Sequence, residues 1–265
     1  MLKLSATISL DSVLTRRVDD TGGVDYAALA SQRQTLDRYV AAVAECIPHT
    51  CADRFPSADD RLAYWINAYN AFVLRGVIDA LPIDNVADVD GGLDGFFRTK
   101  RFVAGGDTLS LDDIENRIIR PEFHDPRIHF AVNCGARSCP ALDRRAFHGH
   151  NIDAQARRFA ADSAHVRLGA GRLHVSRNMD WYGQDFVTWF STVGETASQV
   201  LPDDPPTLVD YLRLYAPPEL SHRLAQDVEI PIQFNDYDWT LNVIQTKNGL
   251  RATSSETVVA GPCPG

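Results

Sequence analysis

Lysine is scarce in this chain: Lys3, Lys100 and Lys247 are the only ones, so nearly all of its 26 bases are arginine, set against 35 acids. The resulting formal net charge of −9 leaves no basic face to attract phosphate backbones or an anionic bilayer, which argues against nucleic-acid and membrane-surface binding. No apolar run reaches the roughly 18 residues of a membrane span. The first twenty residues lack the continuous apolar core and small-residue cleavage site of a signal peptide, so the chain reads as cytoplasmic as written, or as periplasmic or otherwise exported if a signal was already removed. Cofactor signatures are missing too: there is no Walker loop, GxGxxG or HExxH, and no cofactor is expected. Repeats, low-complexity tracts and a clear linker are also wanting.

Composition is that of an ordinary globular protein, 45% hydrophobic and 9% aromatic. The spacing predicts a helix from Thr35, with Leu36, Tyr39, Val40 and Val43 on one face and Pro48 beyond it. A stronger helix is expected from Ser57 to Leu81, started by a Ser57/Asp60 capping box, striped by Leu62, Trp65, Ile66, Tyr69, Phe72, Val73 and Val77, and ended by Pro82. KRFVAGGDTLSL and HVRLGAGRLHVS read as hairpins around glycine turns. Ser110 caps LDDIENRIIR, which Pro121 should stop. Arg127–Asn133 alternates like a buried strand, which would turn His129 and Cys134 to opposite faces. PALDRRAF, HNIDAQARRFAADSA, MDWYGQDFVTWF and TLVDYLRLY look helical, LPDDPP is a rigid loop, and VEIPIQF is a late strand. Helices and hairpins without regular βαβ spacing point to an α+β domain.

Reactive side chains concentrate in DPRIHFAVNCGARSCP, residues 125–140. Cys139 precedes Pro140 and is read as the N-cap of a following helix, where the dipole favours a thiolate. His129 is the candidate base and acid, and Glu115, at the edge of an apolar helix face, the candidate orienter of its imidazole. Asn133, Ser138 and backbone N–H groups near Cys139 are candidate oxyanion donors, with Asn67 and Asn70 as supporting amides on one helix face. Cys134 is an alternative nucleophile, or a small core residue, or a disulfide partner of Cys139. For Glu115 the plain alternative is a salt bridge to Arg117 or Arg120. A zinc set of His129, Cys134, Cys139 and His148 is disfavoured by loose spacing, and no metal is expected. Cys46 and Cys51 read as incidental loop thiols. Cys263 makes the set odd.

YWINAYNA (64–71), LSLDDIENRIIR (109–120), DPRIHFAVNCGARSCPAL (125–142), WYGQDF (181–186) and YDWTLN (237–242), in that order, with GGVDYAAL (22–29) before them, resemble the domain of unknown function 547 family of bacteria and plants. Asn116 departs from the family pattern, where a His often follows the Glu. The resemblance implies one domain over residues 22–242, with an extension at 1–21 and a tail at 243–265. It also implies a papain-like or transglutaminase-like α+β fold of rearranged topology, whose Cys, acid and His map to Cys139, Glu115 and His129. Export is common in bacterial relatives. The leading expectation is thus a cysteine-dependent hydrolase or acyltransferase acting on a peptide or other amide. Its rival is an inactive papain-like scaffold that binds a peptide or protein segment. In a third picture, the polar tail from Lys247 to Gly265 occupies the cleft.

Overall fold

A computed structural model describes residues 10–197, 207–226 and 230–244; Cys263, the tail beyond Ile244 and the LPDDPP loop lie outside the described residues. The central helix, Ala58–Ala80, begins where Ser57 accepts the Asp60 N–H and Asp60 returns the bond to the Ser57 N–H, the reciprocal box expected from the sequence. It is buried over most of its length, and every residue of the expected stripe lies in the core. A helix at Gln34–Glu45 packs beside it. Upstream, Leu10, Val13, Leu14 and Val18 belong to the same core, so the packed unit extends N-terminal of Gly22.

The first hairpin pairs β1 (Phe102–Ala104) with β2 (Asp107–Leu109) through Gly105 and Gly106, both at positive φ. Ser110 then caps a wide, π-type helical stretch, Asp113–Ile119, whose chain runs on through Arg120–Phe123. Pro121 therefore does not stop it. Proline sits where the wide stretch passes into the Arg120–Phe123 segment, and the helix ends two residues beyond it. The second hairpin, β3 (Val166–Gly169) and β4 (Arg172–Val175), gains β5 (Ile232–Phe234) alongside β4 in parallel. Around this sheet a second core gathers Phe159, Met179, Phe186 and Tyr211, carried by helices at Ile152–Ala161, Asn178–Trp181, Gly183–Ala197 and Leu208–Tyr215.

Two local expectations are corrected. The stretch from Arg127 is not a strand: Pro126–Phe130 forms a tight 3-10 turn, capped by Asp125 on the Arg127 N–H and opened by Pro126. Its polar backbone is satisfied by side chains in place of a ladder. Gln155 donates to the Phe130 carbonyl, and Asn70 donates to the Ala131 carbonyl while accepting the Asn133 N–H. Nor does a helix follow Cys139; residues 140–147 are irregular, so Cys139 is no N-cap. The 126–133 segment lies at the seam of the two cores, giving Ile128 and Ala131 to the first and Phe130 to the second.

Candidate active site

His129 stands at that seam with its side chain fully buried. Its Nε2 is 2.8 Å from Asp185 Oδ2, and its ring stacks on Tyr182 at a centroid distance of 3.9 Å. Asp185 is gripped in turn by Arg120, with Nε at 2.7 Å and Nη2 at 2.9 Å from its two oxygens. Burial alone would raise the Asp185 pKa, but the hydrogen bonds and charge supplied by His129 and Arg120 outweigh it and hold the carboxylate ionised. Burial lowers the His129 pKa despite Asp185, so the imidazole is neutral at neutral pH. Donation to an ionised Asp185 puts its proton on Nε2 and leaves Nδ1 as the lone pair; Nδ1 is buried and takes no hydrogen bond within the protein. Asp185 is thus placed to orient the imidazole, the part expected of Glu115. It lies 56 residues from His129, and only its place in WYGQDF marked it.

Glu115 is brought to the same place for a different purpose. It is almost wholly inaccessible, and burial pushes its pKa up to about 7 against hydrogen bonds from the Tyr182 and Tyr69 phenols and the charge of Arg120. Arg117 pairs with Asp113 and Arg120 with Asp185, so neither is held by Glu115. Its Oε1 makes no hydrogen bond within the protein. Glu115, His129, Cys134 and Cys139 line one inner chamber together with Tyr69, Val132, Asn178 and Tyr182. His129 and Cys134 therefore share a cavity, contrary to the opposite faces a strand would impose.

Cys134 and Cys139 are joined, with sulfurs 2.06 Å apart. The loop between them reverses at Gly135, where φ is +83°, a conformation that other residues rarely adopt. Segment 237–242 is laid against this loop: Arg137 and Ser138 N–H donate to the Thr240 and Asp238 carbonyls, and Asn242 N–H to that of Gly135. The pairing delivers Tyr237, whose hydroxyl lies 3.0 Å from Cys134 Sγ and 3.1 Å from Cys139 Sγ. A disulfide sulfur has no proton to give, so the phenol is the donor. The Cys134 N–H also points at Cys139 Sγ, at 3.0 Å. Cys46 and Cys51 are paired as well, sulfurs 2.20 Å apart, and so are not incidental thiols.

Of the expected oxyanion donors, the Asn133 amide and the Cys139 N–H are otherwise employed, whereas the bond at Ser138 uses its oxygen only as an acceptor. Asn133 donates to the Pro140 carbonyl and accepts the Gly135 N–H. Ser138 Oγ accepts the Asp238 N–H, and the Cys139 N–H is held by Ala136. Asn67 clamps both backbone groups of Phe147, so it and Asn70 position loops. The zinc alternative has no support: both sulfurs of the loop are in a disulfide, and His148 lines a separate pocket near Tyr64. Among the described residues no three of His, Cys, Asp or Glu converge as a metal site, and no helix is long and apolar enough to cross a membrane.

On its outer side Cys139 lines a cleft of about 370 Å³ shared with Arg137, Ser138, His165, Arg177 and Asn242. Cys134 does not border it. One cysteine thus walls off the cleft from the inner chamber. Compared with known families, residues 54–162 match the model described as "Protein of unknown function, DUF547"; the matched stretch contains Glu115, His129 and both cysteines of the loop, while Asp185 and Tyr237 lie beyond it. No curated protein and no solved structure matches the chain.

Proposed function

Taking the chain as one that carries a DUF547 region, we propose that it performs thiol–disulfide exchange at Cys134–Cys139. The observation behind this reading is that Cys139 borders the cleft while its bonded partner faces only the chamber with Glu115 and His129. A dithiol on a peptide or small molecule enters the cleft, and one thiol ionises to solvent. Its thiolate attacks Cys139 Sγ, forming a mixed disulfide and expelling Cys134 as a thiolate into the chamber. The substrate's second thiol ionises and attacks its own sulfur in that mixed disulfide, closing the substrate disulfide and releasing Cys139. Two electrons pass from substrate to protein. Two protons leave the substrate, Cys134 takes up one, and Cys139 remains a thiolate beside the Cys134 N–H and the Tyr237 hydroxyl.

Reduction by dithiothreitol, followed by alkylation and peptide mapping, tests this reading. Cys134 and Cys139 should become labelled together, with one disulfide of dithiothreitol formed per pair; in Cys134→Ser, where Cys139 is a lone thiol, its thiolate should attack added oxidised glutathione, releasing one glutathione thiolate and leaving a mixed disulfide on Cys139. Reduction no faster than that of Cys46–Cys51 would sink the proposal.

A second reading is favoured by the His129–Asp185 pair. In the reduced protein Cys139 becomes a thiol sharing a chamber with an imidazole whose Nδ1 is unengaged. This is an arrangement for cysteine-dependent hydrolysis or acyl transfer on a peptide or protein amide, with Asp185 in the third role. It ranks second because the amides expected to hold an oxyanion are engaged elsewhere. Turnover of a peptide library that requires reductant, disappears in Cys139→Ala and survives Cys134→Ser would favour it over exchange, which needs both sulfurs. Peptide binding in the cleft indifferent to Cys139→Ala would leave the inactive scaffold instead.

A further inference from the structure

Three residues lining the inner chamber each keep a buried polar atom that has no hydrogen bond within the protein: Glu115 Oε1, His129 Nδ1 and Asn178 Oδ1. Buried polar atoms are rarely left so. The chamber's free volume of about 10 Å³ is close to what one water molecule needs, and a buried water typically makes about three hydrogen bonds. The donor count also fits. His129 Nδ1 is an acceptor because Nε2 carries the proton toward Asp185, and an amide Oδ1 can only accept. Glu115 receives the Tyr69 and Tyr182 phenols with Oε1 left over, so a neutral Glu115 carries its O–H there. A single water, with two hydrogens to give and a lone pair to receive, satisfies all three.

We propose that the inner chamber is a site for one water molecule, held by Glu115, His129 and Asn178, and that this water passes a proton from Glu115 to the Cys134 thiolate during exchange. The inference rests on the exchange reading above. When the Cys134 thiolate forms, the water turns the hydrogen it directed at Asn178 toward Cys134 Sγ; the Glu115 O–H bond breaks toward the water, the water gives that hydrogen to Cys134 Sγ, and Cys134–SH and Glu115 carboxylate result with the water restored. One proton from solvent later returns to Glu115, which accounts for the single proton Cys134 gains. Glu115 acts through the water and is a relay residue. It is faced by Tyr69 from the central helix, by Tyr182, by His129 with Asp185 behind it, and by the two cysteines; Asp112 and Arg120 act on it from its own helical stretch.

The test is the rate at which dithiothreitol reduces the pair across neutral pH, corrected for the fraction of dithiothreitol present as thiolate. Wild type should slow as pH rises through about 7, where Glu115 loses its proton. Glu115→Gln, nearly isosteric, should lose this pH dependence and fall on the acid side by roughly 10²-fold, the low end of general-acid effects. Asn178→Leu, which fills the chamber and leaves Glu115 in place, should do the same. A Gln variant that keeps the wild-type profile overturns the relay while leaving exchange intact, as does a flat corrected profile in wild type. A pair that dithiothreitol does not reduce at all overturns both. Should Asn178→Leu fail to fold, the Glu115→Gln profile decides alone.

Discussion

Cys46–Cys51 and Cys134–Cys139 close loops of equal length, yet their sulfurs meet different company. Near the first, Arg54 Nη1 lies 3.4 Å from Cys46 Sγ and the Thr50 hydroxyl 3.8 Å from Cys51 Sγ, and Cys51 is partly open to solvent. The second is buried between a cleft and a chamber that holds a carboxyl and an imidazole, with a phenol and a backbone N–H aimed at its sulfurs. Equal spacing makes a bridge possible in both places. Chemistry depends on what can stabilise and protonate the thiolates that the bridge releases: Arg54 can stabilise a Cys46 thiolate, but of the two loops only the second borders a chamber with a buried carboxyl that can protonate its leaving sulfur. The protein thus carries its own internal control.

The strongest way to break the comparison is to remove one sulfur from each loop. Cys139→Ala should abolish the fast phase of dithiothreitol oxidation, and Cys51→Ala should leave that phase unchanged; equal losses of the fast phase would dissolve the distinction. Next in size is the buried carboxyl. The displacement of Glu115 from 4.5 to about 7 means that the folded protein holds this proton more tightly than the unfolded chain. Its contribution is therefore intact below about 4.5 and is lost as pH rises through about 7. Glu115→Gln escapes the loss. Between about pH 4 and about pH 8 its stability relative to wild type should improve by about 3 kcal/mol, as urea unfolding at both pH values would read. The same variant should thus gain relative stability at high pH and lose reduction rate at low pH. A pH-independent difference in stability would mean that Glu115 is not held neutral by its burial.

Asp185 sharpens the comparison at the imidazole. Asp185→Asn leaves the Arg120 guanidinium without its two-pronged partner and takes from His129 Nε2 the charge that fixes its tautomer. The side chain is about a quarter exposed, so water softens the loss, and a destabilisation of about 2 kcal/mol is expected. Nitrogen NMR of His129 should show its proton shared between both ring nitrogens. An unchanged Nε2–H tautomer would show that Tyr182 stacking and packing suffice to orient the ring.

What local chemistry dictates is legible in the sequence. Ser57 and Asp60 announce the central helix because a capping box needs only four residues, and Gly105 and Gly106 announce a hairpin because few other residues take positive φ. The gathering of Glu115, His129 and Cys139 was also legible, because those polar groups interrupt apolar patterns at helix and loop edges. The misreadings share a cause. Alternation in Arg127–Asn133 suggested a strand, but Asn70 and Gln155 supply the hydrogen bonds that neighbouring strands would have given, while Asp125–Pro126, a cap followed by a first-turn proline, was the stronger local signal. Asp185 and Tyr237 stand 56 and 98 residues from the groups they serve, and nothing in their own neighbourhoods names those partners. Once the turn replaces the strand, His129 and Cys134 meet in one chamber.

The smallest expected effect is at Tyr237, whose single hydroxyl is shared between Cys134 Sγ and Cys139 Sγ. Tyr237→Phe keeps the ring against Trp181 and Trp239 and deletes only the donor. The Cys134 N–H remains on Cys139, so the thiolate loses one neutral hydrogen bond, worth about 1 kcal/mol, or roughly fivefold. In the fully reduced protein, iodoacetamide should therefore label Cys139 about fivefold more slowly at neutral pH, with the rates at Cys46 and Cys51 unchanged. An equal slowing at all four cysteines would point to a general change in the fold. No slowing at Cys139 would assign the thiolate to the backbone N–H alone, and the loop's own amide, carried by the turn at Gly135, would then be what separates the two bridges.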